Sequence, residues 1–173
     1  RGGPPGKPVI LFEYDPSRAQ AVPLRLLEGW KGYLIADGLE SYGAIAFTEG
    51  VTRLGCWVHA RRRFVDAGKV LPEGKRGRAH EALALIGKLY AIEKEARELS
   101  DVERLALRQS RSRAVIGELR AWLDQVLPTV PPTSILGGAL GYLHRQWPRL
   151  TRYLERGDLP IDNNPAENAI RPF

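Results

Sequence analysis

Tyr33-Leu34-Ile35-Ala36-Asp37-Gly38 is the stretch on which the reading of the fold depends. A short apolar run closed by an acid and a glycine has the length and composition of a strand buried on both faces. An acid at the carboxyl end of such a strand sits where open α/β sheets place their chemistry. Far along the chain a second acid stands in an unusual setting, Asp162-Asn163-Asn164-Pro165-Ala166-Glu167. Asp162, Asn163 or Asn164 can cap a helix whose first turn takes Pro165. Glu167 and Arg171 then lie one turn apart, in the acid-before-base order that favours a helix pair.

Outward from Asp37 the pattern alternates. Residues 8–14 read as a strand with Pro8 at its first position, where proline is tolerated. Residues 15–18 read as a turn and 19–29 as a short helix. Its apolar face would be Val22, Leu26 and Gly29, widened by Leu24 and Leu27. Residues 39–47 read as a short helix or turn, 51–57 as a buried strand and 58–67 as a helix. This alternation is an α/β pattern.

Beyond it the period becomes helical. Ala82, Leu85, Leu89, Ile92, Ala96 and Leu99 recur every three or four residues. Ser100-Asp101-Val102-Glu103 is a capping box opening a second long helix, with Val115, Leu119, Trp122 and Val126 as its stripe and Pro128 at its end. Residues 130–133 read as a linker and 134–156 as a last helical region. There Leu143, Trp147, Leu150 and Leu154 face one way, and Arg145, Arg149, Arg152 and Arg156 roughly the other. Pro148 either kinks that helix or starts a new one. The arginines are a solvated face or a phosphate-contacting stripe.

Composition narrows the function. The 173 residues carry a formal net charge of +6, 43% hydrophobic and 27% charged residues, as expected of an ordinary globular chain. No apolar run approaches the ~20 residues of a membrane helix. One cysteine, Cys56, excludes an internal disulfide and predicts a cytoplasmic compartment. One cysteine and three histidines (His59, His80, His144) make a poor ligand set for a closed zinc site, so Cys56-x-x-His59 is not read as one. Between residues 51 and 78, eight basic residues face only Asp66 and Glu73. That concentration, with Arg61, Arg62 and Arg63 at its centre, suits either a phosphate backbone or a solvated helix. The chain has no methionine and a Gly/Pro-rich start, and it reads as a piece of a longer protein.

Three stretches together carry a resemblance: Gly32 to Gly38 followed by Tyr42, Gly55-Cys56-Trp57-Val58-His59-Ala60-Arg61-Arg62-Arg63-Phe64, and Leu159 to Glu167 followed by Arg171. In this order they resemble the transposases of insertion-sequence family sixty-six, from about Pro8 to the end. The resemblance implies a partial ribonuclease-H-like α/β core, a short mixed sheet with flanking helices, interrupted by an all-α insertion. The core would occupy residues 8–78, the insertion 79–156, and the return to the core 157–173. It implies an Asp-Asp-Glu triad in which Asp37 matches the second acid and Glu167 the third, both catalytic and both ligands of Mg2+ or Mn2+. Such carboxylates hold the cations that neutralise the attacking and leaving oxygens of a phosphodiester. The implied activity is cleavage and strand transfer at transposon ends. The partners would be transposon-end and target DNA, with a homo-oligomer in the transposition complex and a nucleoid-associated location. Arg61, Arg62, Arg63, Arg149, Arg152 and Arg171 are the candidate DNA contacts, and His59 a candidate for the active-site rim.

Two departures accompany the resemblance. Asp15 is a poor substitute for the first acid, because only a helix fits between it and Asp37 where a hairpin belongs. The fragment is therefore expected to be inactive alone. Asn168 follows Glu167 where the family more often has arginine. A DNA-binding remnant without chemistry, and a helical interaction module, are the alternative readings.

Overall fold

The computed structural model describes residues 14–16, 19–36, 48–164 and 168. Among them the architecture is mixed α/β and mostly helical, with one two-stranded parallel sheet. The expected strand over 8–14, the stretch 39–47, Asp37, Glu167 and Arg171 lie outside the described residues, apart from Tyr14, which belongs to no element.

The chain enters through α1 (Ala21–Leu26), shorter than its sequence pattern suggested. Pro23 is its buried residue, and Leu24 and Leu26 are exposed, so the expected face through Leu26 is not the packed one. Strand β1 (Gly32–Ala36) pairs in parallel with β2 (Val51–Gly55), in register from Gly32↔Val51 to Ala36↔Gly55. Burial on both faces belongs to β2 rather than to β1. Leu54 and Gly55 are buried, whereas Tyr33 is 38% exposed. The difference has a cause: α6 packs on β2, while the exposed Tyr33 ring meets the Arg156 guanidinium, 5.2 Å from its centroid. Arg53, counted among the basic residues of this region, is buried at 3% exposure and adds nothing to a charged surface.

Helix α2 (Trp57–Lys69) starts directly from β2. Trp57, Ala60, Phe64 and Ala67 recur at helical spacing and are buried, which turns Arg61, Arg62 and Arg63 outward. It packs against α3 (Arg78–Glu95) and α6 (Ile135–Leu150). The Trp57 indole donates to the Leu150 carbonyl at 2.8 Å and meets Trp147 edge-on at 6.5 Å between centroids. Burying a side chain of this size stabilises by roughly 1.5–3 kcal/mol.

The helical layer follows the expected periodicity, with additions. On α3 the buried line is Ala79, Ala82, Ile86, Leu89 and Ile92, continued by Ala96 in a short 3-10 turn (Ala96–Glu98). The predicted capping box is present. Ser100 Oγ accepts from the Glu103 amide at 3.3 Å, and the Glu103 carboxylate accepts from the Ser100 amide at 2.9 Å. Helices α4 (Asp101–Leu107) and α5 (Arg113–Val126) are joined by a π-helical turn, Arg108–Ser112. That turn carries Arg108 inward, to 1% exposure. Its guanidinium forks onto Glu93 at 2.8 and 2.6 Å and also donates to the Tyr153 carbonyl at 2.8 Å. A buried charge is tolerable because a bidentate carboxylate and backbone carbonyls meet it.

Ser134 caps α6 through the Gly137 amide. Pro148 neither breaks the helix nor starts another. It lies inside α6, which ends two residues later and tightens into a 3-10 turn, Thr151–Glu155. This fits the loss of one backbone donor near a helix end. The arginines thus begin on one element and finish on another. One contiguous apolar core runs from Leu54 through α2, α3, α5 and α6 to Leu159 and Ile161, so strands and helical layer share it. Among the described residues no helix is long and apolar enough to cross a membrane.

Candidate active site and basic cleft

Because β1 and β2 are parallel, their carboxyl ends lie side by side. Ala36, the residue before Asp37, is 6% exposed and pairs with Gly55. One residue past Gly55, the Cys56 thiol donates to Asn163 Oδ1 at 2.8 Å. The Trp57 amide donates to the Ile161 carbonyl at 3.2 Å. Ile161 and Asn163 are therefore laid along the β2–α2 junction, at the same strand edge as Ala36.

Asp162 is the centre of this edge. It is 8% exposed, and its carboxylate accepts three hydrogen bonds: from the Tyr90 hydroxyl, the Asn164 amide and the Asn164 side-chain amide, each at 3.0 Å. Of the three candidate caps, it is Asp162 that takes the Asn164 amide, an Asx-type bond two residues on. Asn164 and Asn168, on either side of Glu167 in sequence, are both helical. Burial raises the Tyr90 phenol above its ordinary pKa, and the Asp162 charge adds to the effect. Burial also raises the Cys56 thiol, against backbone hydrogen bonds led by that of Asn163. Cys56 is thus a neutral, hydrogen-bonded core group. Among the described residues no three Asp, Glu, His or Cys side chains cluster as metal ligands.

Beside this edge lies an open cleft of about 450 Å³, lined by Val58, Arg61, Arg62, Val65, Asp66, Lys69 and Asn164. Lys69 pairs with Asp66 at 2.9 Å, with both side chains well exposed. Arg61 and Arg62 are exposed. Arg63 turns away from the cleft, its guanidinium 4.3 Å from the Tyr142 ring centroid. His59 is half-buried one turn before Arg63.

The other expected DNA contacts are placed elsewhere. Arg149, on α6, is half-buried and donates to Gln146 at 3.2 Å. Arg152 donates to the Arg53 carbonyl at 2.9 Å and ties the 3-10 turn to β2. Arg61 and Arg62 are brought together with Asn164; Arg149 and Arg152 do not line that cleft. Tyr90 had no signal in the sequence. It lies 72 residues before Asp162, and an aromatic on a helical stretch reads as core.

The family profile described as "Transposase IS66 family", IS66 being insertion-sequence family sixty-six, matches residues 1–173. The chain belongs to that family. It is similar to three proteins of Sinorhizobium fredii. It is 30% identical to the uncharacterized protein y4jD, over 96% of this chain and 33% of the relative. It is 29% identical to y4qI over 95% of this chain and 31% of that protein, and 28% identical to y4hP over 95% and 32%. Both are likewise named uncharacterized proteins. The chain spans about a third of the length of these curated relatives. No solved structure matches it.

Proposed function

We propose that this chain is part of the catalytic region of a DNA transposase, acting in metal-dependent phosphodiester cleavage and strand transfer at transposon ends. Family membership supplies the class. The observation that carries the site is the shared edge: Ala36 pairs with Gly55, and the next residue, Cys56, bonds Asn163. The sequence runs from Ala36 straight into Asp37, and from Asn163 to Glu167 in four residues. In this reading the parallel pair belongs to a ribonuclease-H-like core over residues 8–78, with 79–156 as the helical insertion and 157–173 as the return.

Asp37 and Glu167 are the proposed holders of Mg2+ or Mn2+, and the first acid comes from chain upstream. The oxygen-only donor set suits these hard cations. When bound, the cations would neutralise charge on the attacking and leaving oxygens. Arg61 and Arg62 hold backbone phosphate beside the acids, with His59 at the rim, and Arg149 and Arg171 reach DNA further out. The attacking oxygen is that of water in cleavage and of a DNA 3′-hydroxyl in strand transfer.

The test uses the full-length parent with DNA carrying its element's ends. Magnesium-dependent release of 3′-hydroxyl ends is expected, abolished by Asp37→Asn and by Glu167→Gln while DNA binding persists. The paired change Arg61→Ala, Arg62→Ala should weaken binding to all sequences alike and lower the salt slope by about 1–2. Metal-independent binding with no cleavage would instead identify a DNA-binding remnant. Neither cleavage nor salt-dependent DNA binding would overturn both readings.

A further inference from the structure

We propose that the helical region positions the third acid through Tyr90, whose hydroxyl holds Asp162 at the entrance to the Glu167 stretch. The proposal rests on the reading of Glu167 as a metal ligand. Four consecutive residues ahead of Glu167 are each fixed by a hydrogen bond. The Ile161 carbonyl takes the Trp57 amide, Asp162 takes the Tyr90 hydroxyl, Asn163 takes the Cys56 thiol, and Asn164 donates to Asp162. Three of these contacts come from the β2–α2 junction or from the segment itself. Tyr90 is the one that comes from α3.

A tyrosine packed at a core usually finds some acceptor for its hydroxyl. The acceptor here is more telling than the donor. A carboxylate at 8% exposure is costly to bury unless its oxygens are bonded. Among the described residues Asp162 meets no basic partner; its hydrogen bonds come from Tyr90 and Asn164. Two of them orient Asn164, at the start of the helical residues that flank Glu167. The remaining one ties that orientation to α3. Without the Tyr90 hydroxyl the carboxylate keeps its burial and its bonds to Asn164, but loses the contact that fixes its rotamer. Tyr90 is therefore a positioning residue, acting through Asp162. Ligating carboxylates commonly depend on such outer partners for their aim.

The test uses the 173-residue chain and three variants, Tyr90→Phe, Asp162→Ala and Asp162→Asn. Amide hydrogen exchange at Asn164, melting temperature and Mn2+ affinity by calorimetry are read on each. Tyr90→Phe removes one oxygen and fills the same space. It should speed exchange at Asn164 by about tenfold, as expected for loss of one bond to a charged group. Mn2+ affinity should fall about tenfold, and the melting temperature by no more than about 4 °C. Asp162→Ala should reproduce both local effects. Asp162→Asn keeps an oxygen acceptor for the Asn164 amide but sets an NH2 donor opposite the Tyr90 hydroxyl and the Asn164 side-chain amide, and should give exchange and affinity between those of the unsubstituted chain and Asp162→Ala. Unchanged exchange at Asn164 in Tyr90→Phe overturns the proposal, as does unchanged Mn2+ affinity in a chain that binds Mn2+. Faster exchange in Tyr90→Phe, with no Mn2+ bound by the full-length protein, supports the positioning of Asn164 and overturns the metal reading of Glu167.

Discussion

The strand edge and the helical layer are built to different standards. At the edge, β1 is only partly covered, Tyr33 is exposed, and hydrogen bonds through the Cys56 thiol and the buried Asp162 carboxylate do the fixing. In the helical layer, α3, α5 and α6 bury continuous apolar lines, and a bidentate Arg108–Glu93 pair sits inside them. The proposed chemistry lies at the edge, yet most of the cohesion lies in the layer. The contrast teaches that the helical region is more than an appendage. Through Arg108 and Tyr90 it holds the 153–162 segment that returns to the edge.

The largest expected effect tests that dependence. Arg108→Met leaves the half-buried Glu93 and three carbonyls without their shared partner and should cost about 3 kcal/mol, a fall of roughly 6–12 °C in melting temperature. Adding Glu93→Leu should recover most of it, because replacing both partners by apolar groups is often neutral. Failure to recover would mean that the carbonyls of Tyr153, Arg156 and Gly157, rather than Glu93, are what Arg108 mainly serves.

Next comes the joint between the two regions. Trp57→Phe removes the indole donor to the Leu150 carbonyl and opens a small void, at a cost of about 1–3 kcal/mol. Urea denaturation would measure it, with an unchanged slope if only stability has moved.

Smaller again is the Ser100 cap. Ser100→Ala should cost about 1 kcal/mol. The Ser100 hydroxyl, and then its amide, hold the Glu103 carboxyl below its ordinary pKa. A depressed carboxylate pKa contributes stability above the unfolded value that is lost as the pH falls through the folded one. Stability should therefore decline slightly as the pH drops below about 4.3, the unperturbed glutamate value, and Glu103→Gln should remove that part of the acid limb in thermal melts. The smallest effect belongs to the edge. Tyr33→Ala should change stability by no more than about 0.5 kcal/mol, since the ring is exposed and its cation contact lies at the surface. A larger loss would break the comparison by showing that β1 contributes more than its exposure suggests.

What could be read in the sequence follows the range of each interaction. The capping box spans three residues, and the Trp57–Ala60–Phe64 spacing spans seven, so both were legible. The strand before Asp37 was legible from its apolar run, though the covering of its faces was not, because that depends on where α6 packs. Arg108 was not legible. It sits in a helix among other arginines, and its carbonyl partners lie 45 to 49 residues away. The arginines of the last helical region looked equivalent by spacing. They part company because the α-helix gives way to a 3-10 turn after Leu150, which directs Arg152 to the β2 backbone. Asp162 was visible as a possible cap, but its bond to Tyr90 spans 72 residues and only the fold creates it.

The most direct test of the account is calorimetric Mn2+ binding to this chain, to Asp37→Asn and to Glu167→Gln. The unsubstituted chain should bind, and each substitution alone should abolish detectable binding, if the two carboxylates share one site as proposed. Binding that survives either substitution at parental affinity would contradict it.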